Sequence, residues 1–434
     1  MRKIILFFLS FCLLYSIEIE GEAKINNFYL IQPDIFKVDS IKPLPYMFHQ
    51  FEISLKDKKD KYQYETSLLL RLWSKNIQNN LINLKDPSYK IKTHIFEFYL
   101  NIYNFPFENL DIKIGKQRIS WGTADRLNPT DIINPYDLQN PFDFGKKIPS
   151  EAILINFYLP KEFMLEGVFL PKFIPPLLLE DISYFKLFLS PLNFGNIKDT
   201  IIFPSLKNPM FASKLYGKIL KLNFSLSYFY GFDNFPLFKG TEILIDNSSG
   251  DTLVKALYFF PRIHMIGFDL AGEVKSVGIW AELGYFIPID TVKIWSAFYP
   301  FYLLKDPYLK YTAGFDYTFR NGLYVNFQYN YGFFFERYSP DIKNSLHNYL
   351  ALRIEKKYLR DNLKISLSGI YEIVCFKDLQ NKSGYVTNPE ISYKPDDNLD
   401  INFGLINVHG NSPSSLFYSF KNFDQFYLTL KVNF

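Results

Sequence analysis

The last nine residues, Phe426-Tyr-Leu-Thr-Leu-Lys-Val-Asn-Phe434, alternate apolar and polar side chains without a break and end on an aromatic ring. Successive side chains of a strand point to opposite faces. Leu428, Leu430, Val432 and Phe434 therefore share one face, and Tyr427, Thr429, Lys431 and Asn433 share the other. A strand built this way fits between hydrocarbon and water. Taken alone, the segment would also serve at the edge of a soluble β-sandwich, so the rest of the chain has to decide.

At the other end, Arg2 and Lys3 precede an apolar stretch from Ile4 to Tyr15. Gly21-Glu22-Ala23 then places small residues where a signal peptidase would cut before Lys24. The pattern predicts a signal peptide over residues 1–23 and hence export. Cys12 follows Phe11, which is too bulky for a lipoprotein motif, and is expected to leave with the signal. That leaves Cys375 as the sole cysteine of the mature chain, with no intramolecular disulfide, Cys-rich zinc site or paired-thiol redox chemistry available.

Hydrophobic residues make up 48% of the chain. After the signal, however, no apolar run reaches the roughly eighteen residues of an ordinary transmembrane helix. Alternation disperses the apolar content instead. The formal charge of +4 is mild for this length and does not point to nucleic acid as a partner. The 46 Phe and 32 Tyr would suit the aromatic girdles of a membrane barrel. An AT-rich coding bias would produce the same residues, so their abundance decides little.

The clearest hairpin runs from Leu309 to Phe319, turns through Arg320-Asn321-Gly322, and returns from Leu323 to Phe333. Asn-Gly between alternating arms predicts a tight primed turn with positive φ at both residues. Further arms are expected near 423–434, 398–407, 384–393, 362–376, 346–356, 277–287, 266–274, 223–232, 211–219, 164–170, 151–159, 110–120, 93–103 and 62–73. Short and long connections alternate between them, as in a barrel with short periplasmic turns and long extracellular loops. The expected fold is an all-β, transmembrane antiparallel β-barrel over residues 61–434, with about sixteen strands and a range of fourteen to eighteen. His49 to Leu55 is strand-like but falls outside this scheme, and Ile182 to Leu189 could supply part of another hairpin. Residues 24–60 are accordingly expected to form a periplasmic extension or a plug in the lumen.

The most patterned loop follows Ser120. It carries Asn-Pro-x-Asp three times at a period of six: Asn128, Pro129 and Asp131; Asn134, Pro135 and Asp137; Asn140, Pro141 and Asp143. Asn can cap a turn, Pro presets φ, and Asp two residues on can accept from exposed amides, so successive tight turns are expected. An ordered loop over residues 121–150 would lie across the barrel mouth or fold inward as a constriction. Arg118, Asp125, Arg126, Asp131, Asp137, Asp143, Lys146 and Lys147 are the candidates for a charged eyelet. The same Asp residues could instead cap only their own turns, with the basic residues paired to them. Their spacing matches no calcium-loop motif, so no metal site is expected.

Period-two alternation assigns Glu97, Asp111, Lys113, Asp269, Glu273, Glu282, Lys310, Asp316 and Arg353 to inward faces. Unpaired charges are costly in a dry core, so these predict a wet or charge-networked interior. Apolar stretches at 173–179, 184–189 and 295–303 could hold hydrophobic solutes, or pack together over the barrel top. The histidines are scattered, and no Gly-x-Ser-x-Gly, His-Glu-x-x-His or phosphate loop occurs. Neither an enzyme nor a cofactor is therefore expected.

Three blocks resemble an uncharacterised, porin-like family of bacterial outer-membrane β-barrel proteins. They are Gly115-Lys-Gln-Arg-Ile-Ser-Trp-Gly122 with the Asn-Pro repeats, Gly267-Phe-Asp-Leu-Ala-Gly272 with Gly278-Ile-Trp-Ala-Glu-Leu-Gly-Tyr285, and the Asn321-Gly322 hairpin through Phe335. The terminal Phe434 likewise resembles the signal that outer-membrane assembly machinery reads. The resemblance implies an outer-membrane channel, either passive or linked to a partner, for solutes that could include hydrophobic or bulky compounds, embedded in lipid and with that assembly machinery as a partner. The other reading is a closed or plugged barrel that binds a hydrophobic ligand or a partner protein. No catalytic residue carries over.

Overall fold

The computed structural model describes residues 18–30, 47–74, 89–139, 143, 145–177, 197–205, 208–219, 221–245, 252–295, 300–339, 345–421 and 424–434. Its main element is an 18-stranded antiparallel sheet that closes on itself. The strands are Glu18–Leu30, Met47–Lys59, Tyr62–Ser74, Tyr89–Ile102, Leu110–Gln117, Ser150–Leu159, Phe163–Leu170, Met210–Ile219 and Leu222–Phe232. They continue with Arg262–Val274, Val277–Pro288, Tyr308–Thr318, Leu323–Tyr331, Asn348–Tyr358, Leu363–Ile373, Ser383–Asp396, Leu399–Gly410 and Gln425–Asn433. Each pairs with its neighbour in the chain, and Glu18–Leu30 pairs with both Met47–Lys59 and Gln425–Asn433 to close the ring. Closure removes every sheet edge, as a chain that offers its backbone to lipid requires.

The expected extension or plug over residues 24–60 is corrected here, because its described residues form two wall strands. The strand-like His49 to Leu55 lies within Met47–Lys59, against Tyr62–Ser74. The alternation of Glu18–Leu30 follows closely on the apolar stretch of residues 4–15, which makes it hard to read in the sequence. These two strands raise the expected sixteen to 18, the top of the stated range. Ile182 to Leu189 lies outside the described residues.

Turn lengths alternate round the ring. Connections such as 60–61, 160–162, 275–276 and 397–398 lie at the end that holds both strand termini, while 118–149, 233–261, 332–347 and 411–424 lie at the other. Outward faces are apolar: Phe98, Leu226, Phe268, Phe315, Leu367, Phe403 and Val432 are exposed on the wall. In the C-terminal strand Tyr427 and Thr429 are buried while Phe426 and Val432 are exposed, so its two faces divide as the alternation predicts.

The hairpin at 319–323 differs from expectation. Gly322 has φ +79, but Asn321 does not have positive φ. The Phe319 amide donates to the Leu323 carbonyl at 2.8 Å, and the Gly322 amide to the Phe319 carbonyl at 2.9 Å. This is the three-residue loop with a glycine bulge, and the intervening Arg320 is what lengthens it. At the long-loop end, Ile197–Ile202, Leu237–Ile245 and Thr252–Phe259 form a small sheet, and Val292–Trp295 pairs with Pro300–Leu304. Phe173 packs on Phe232 and Phe260 beneath this end, as loops folded over a barrel top would.

Candidate functional site

The 118–149 connection runs into the barrel and across it. Near its start, the amides of Thr123, Ala124 and Thr130 and the Thr130 hydroxyl all donate to the Glu282 carboxylate, the Ala124 bond at 2.6 Å. Gly122 makes this approach workable. Its φ is +82, and a Cβ there would lie 2.6 Å from Glu282 Oε1. Farther along, Asp137 forms a buried ion pair with Arg71, and Gln139 accepts from the same guanidinium. The strands of Arg71 and Glu282 have seven strands between them one way round the ring and nine the other (18 − 2 − 7). The loop is thus fastened to opposite sides of the wall.

Between these anchors the loop is held mostly by its own side chains. Asn134 Oδ1 accepts from the Ile119 amide at 2.6 Å, and its Nδ2 donates to the Ile148 carbonyl at 3.1 Å. Asp131 accepts from the Trp121 amide at 3.3 Å. The Asp137 amide donates to the Lys146 carbonyl, and Ile148 to Pro135, so the two legs of the loop lie side by side. Trp121 and Ile133 are buried, Trp121 donating its indole N–H to Glu166 of the wall. Asn140 and Pro141 of the third repeat lie outside the described residues.

The eight eyelet candidates fall into two groups. Asp131, Asp137, Lys146 and Lys147 hold the loop together. Lys147 Nζ donates to the Asp131 carbonyl at 2.8 Å and lies 3.2 Å from the Tyr136 ring centre, and Lys146 Nζ is 3.8 Å from Asp137 and 3.2 Å from Gln50. Burial pulls the Lys147 ammonium down to about 8 and pushes the Asp131 carboxyl above the usual carboxylate range. Asp143, half-buried, adds its field to Lys146. Arg118 forks onto Glu97 at 3.0 and 3.2 Å. Asp125 and Arg126 stand apart. Both side chains are exposed at the apex, and among the described residues neither enters an ion pair. Their backbone is fixed all the same: Gln328 Oε1 accepts from the Asp125 amide at 3.0 Å and its Nε2 donates to the Asp125 carbonyl at 3.2 Å, while Arg126 has φ +64.

Several inward charges serve the loop or its surroundings rather than water. Glu282, Asp269, Lys310 and Glu97 are buried. Asp269 takes the Ser225 hydroxyl and lies 3.4 Å from Lys214, and Lys310 donates to the carbonyls of Phe333 and Phe334. Asp111 accepts from Tyr158, Lys113 lies 3.6 Å from the Tyr99 ring centre, Asp316 accepts from Tyr324, and Arg353 pairs with Glu355 at 2.8 Å. Glu273 is exposed beside the 275–276 turn.

A pocket lies beside the apex. Asp125, Arg126 and Leu127 face wall residues Asn326, Gln328, Arg353, Ser368, Thr387 and Asn388 across an open pocket of about 780 Å³. A smaller pocket of about 550 Å³ lies on the other side of Leu127, under Tyr136, Phe235 and Phe334. Those three rings pack together at 4.7 to 5.3 Å and join the loop to its neighbours from 233–261 and 332–347. Asn234 donates to the Ile132 carbonyl at 2.9 Å, and Arg337 binds Asp233 at 2.8 Å.

One polar cluster has no signature in the sequence. His347 Nδ1 lies 2.7 Å from Glu372 and 3.1 Å from Glu336. Glu336 also accepts from the Phe333 and His347 amides and the Tyr349 hydroxyl, and Glu372 from Ser415 and the Leu416 and Phe417 amides. Burial acts to lower the imidazole, but the two carboxylates outweigh it and hold it at about 10. Among the described residues these three side chains could also meet round a metal ion. With six donors already on the carboxylates, the arrangement reads as an ionic clamp between the 332–347 and 411–424 loops.

No protein-family profile matches the chain, and no curated protein matches it in sequence. Solved structures do match in shape. Acinetobacter baumannii OccAB4 aligns at TM-score 0.51 and 10% identity over 96% of this chain and 97% of that one. The outer membrane protein OpdK of Pseudomonas aeruginosa aligns at TM-score 0.47 and 9% identity over 96% and 99%. At that coverage the closed 18-stranded fold is that of a porin-like outer-membrane β-barrel.

Proposed function

We propose that the protein is an outer-membrane channel for passive passage of solutes, with the 118–149 loop as its constriction. The observation that carries this reading is the loop's asymmetry. It is bolted to both sides of the wall at Arg71 and Glu282, yet leaves an open pocket between its apex and the strands from Leu323 to Gly410. A loop that only capped the barrel would not need anchors inside it. Asp125 and Arg126, with Arg353 opposite, are the charges that a passing solute meets at this point. No catalytic step is assigned. Phe434, at the end of the strand that closes the ring, is the natural element for assembly machinery to read.

A closed barrel that binds a ligand is the second reading, favoured by the aromatic packing of Tyr136, Phe235 and Phe334 over the inner loop. Planar-bilayer recording separates the two. A channel gives stable single-channel steps, and removing residues 123–147 enlarges them and alters their ion selectivity. A protein that inserts without steps sinks the channel reading, and an unchanged step after the deletion sinks the constriction.

A further inference from the structure

The apex of the 118–149 loop is a strained turn. The Leu127 amide donates to the Asp125 carbonyl at 2.8 Å, and Arg126 between them has φ +64. This is a γ-turn with a left-handed centre, a conformation that persists only where its surroundings hold it. Gln328 supplies the hold. Its Oε1 accepts from the Trp280 indole N–H at 2.9 Å as well as from the Asp125 amide, and its Nε2 donates to Asn330 Oδ1 at 2.8 Å as well as to the Asp125 carbonyl. Both donors and both acceptor positions of that buried side-chain amide are used, so it sits one way round.

The turn sends neighbouring side chains to different places. Asp125 and Arg126 are exposed, whereas Leu127 is buried and belongs to an apolar cluster with Phe333, Tyr349, Val386, Ile406 and Phe417. The ionic clamp holds the outer part of this cluster in place. Glu336 binds the Phe333 amide at 2.7 Å and the Tyr349 hydroxyl at 2.6 Å, and Glu372 binds the Phe417 amide at 3.4 Å. Among the described residues, Leu127 alone lines both the pocket beside the apex and the pocket towards the long-loop end.

We infer that Leu127 is the gate of the barrel: an apolar side chain, seated in the cluster of Phe333, Tyr349 and Phe417, that separates an outer chamber from an inner one and holds back hydrated ions. Apolar constrictions resist ions because water withdraws from them. The inference rests on the channel reading, and it adds an apolar barrier directly beside the charges of Asp125 and Arg126.

Single-channel recording of the parent, Leu127→Ser and Leu127→Trp tests this, on preparations whose heat-induced mobility shift shows a folded barrel. Leu127→Ser should raise the ion conductance about twofold or more, and Leu127→Trp should lower it by a similar factor. The Trp variant keeps the position apolar, so it tests the gate even where Leu127→Ser fails to fold. Steps that appear only in Leu127→Ser also support the inference. Steps of equal height in the parent and every folded variant overturn the gate and leave the channel standing. No steps from any form overturn the channel reading and the gate with it.

Discussion

Arg71 and Asp137 meet inside the barrel as an ion pair whose side chains are 0% and 2% exposed, one from the wall and one from the loop that crosses the lumen. Removing one member of such a pair strands the other without water, which typically costs about 3–5 kcal/mol. Arg71→Met should therefore lower the unfolding temperature of the barrel and make single-channel current noisy. Arg71→Met with Asp137→Leu should recover much of that loss. The paired comparison, by heat-induced mobility shift and bilayer recording, checks both halves.

The other anchor gives a steric prediction. Gly122→Ala places a methyl against the Glu282 carboxylate at a φ that L residues rarely adopt. We expect a loss of about 1–3 kcal/mol, with the 123–130 segment freed from the wall. Protease digestion of the folded protein should then cut within that segment, whereas the parent loop stays intact under the same conditions.

Asp125 and Arg126 should behave in the opposite way. Their side chains are exposed and enter no ion pair among the described residues, so substitution should change stability by less than about 0.5 kcal/mol. Arg126→Ala should shift the reversal potential under a salt gradient towards cations, and Asp125→Ala towards anions. Equal reversal potentials in both variants and the parent would remove these residues from the permeation path.

The ionic clamp makes stability depend on pH with a definite sign. His347 is held at about 10, above its ordinary value of 6.5, so the folded protein keeps a proton that the unfolded chain releases. Its contribution is complete below about 6.5 and is lost as pH rises through about 10. Lys147, lowered to about 8, works in reverse: stability rises between about 8 and its ordinary 10.5. The difference in melting temperature between the parent and His347→Gln isolates the clamp. It should be largest near pH 6 and shrink towards pH 10, and a difference constant across that range would show that His347 is not charged in the fold.

The wall was readable in the sequence because its information is local. Both arms of the 309–331 hairpin alternate cleanly, and the short turns are bounded by polar residues. Residues 18–30 were the exception, since their alternation follows closely on the apolar stretch of residues 4–15 and is interrupted by the small residues Gly21 and Ala23. The interior was legible only in outline. The period-six repeat announced an ordered loop, and Glu282 was placed on the inward face. Its four donors lie more than 150 positions away in sequence, where no spacing rule reaches. Arg71 was obscured by the leucines on either side of it, and Glu372 reaches Glu336 and His347 only when its strand folds beside the 332–347 loop.

A wall one strand thick is a hoop, and a hoop under lateral pressure from its bilayer flattens most easily across its diameter. The loop joined at Arg71 and Glu282 works as a tie-rod along such a diameter. It therefore governs the roundness of the barrel as well as the width of any passage beside it. Cutting either attachment should change the pore by letting the wall go oval, even where no lining residue has been altered.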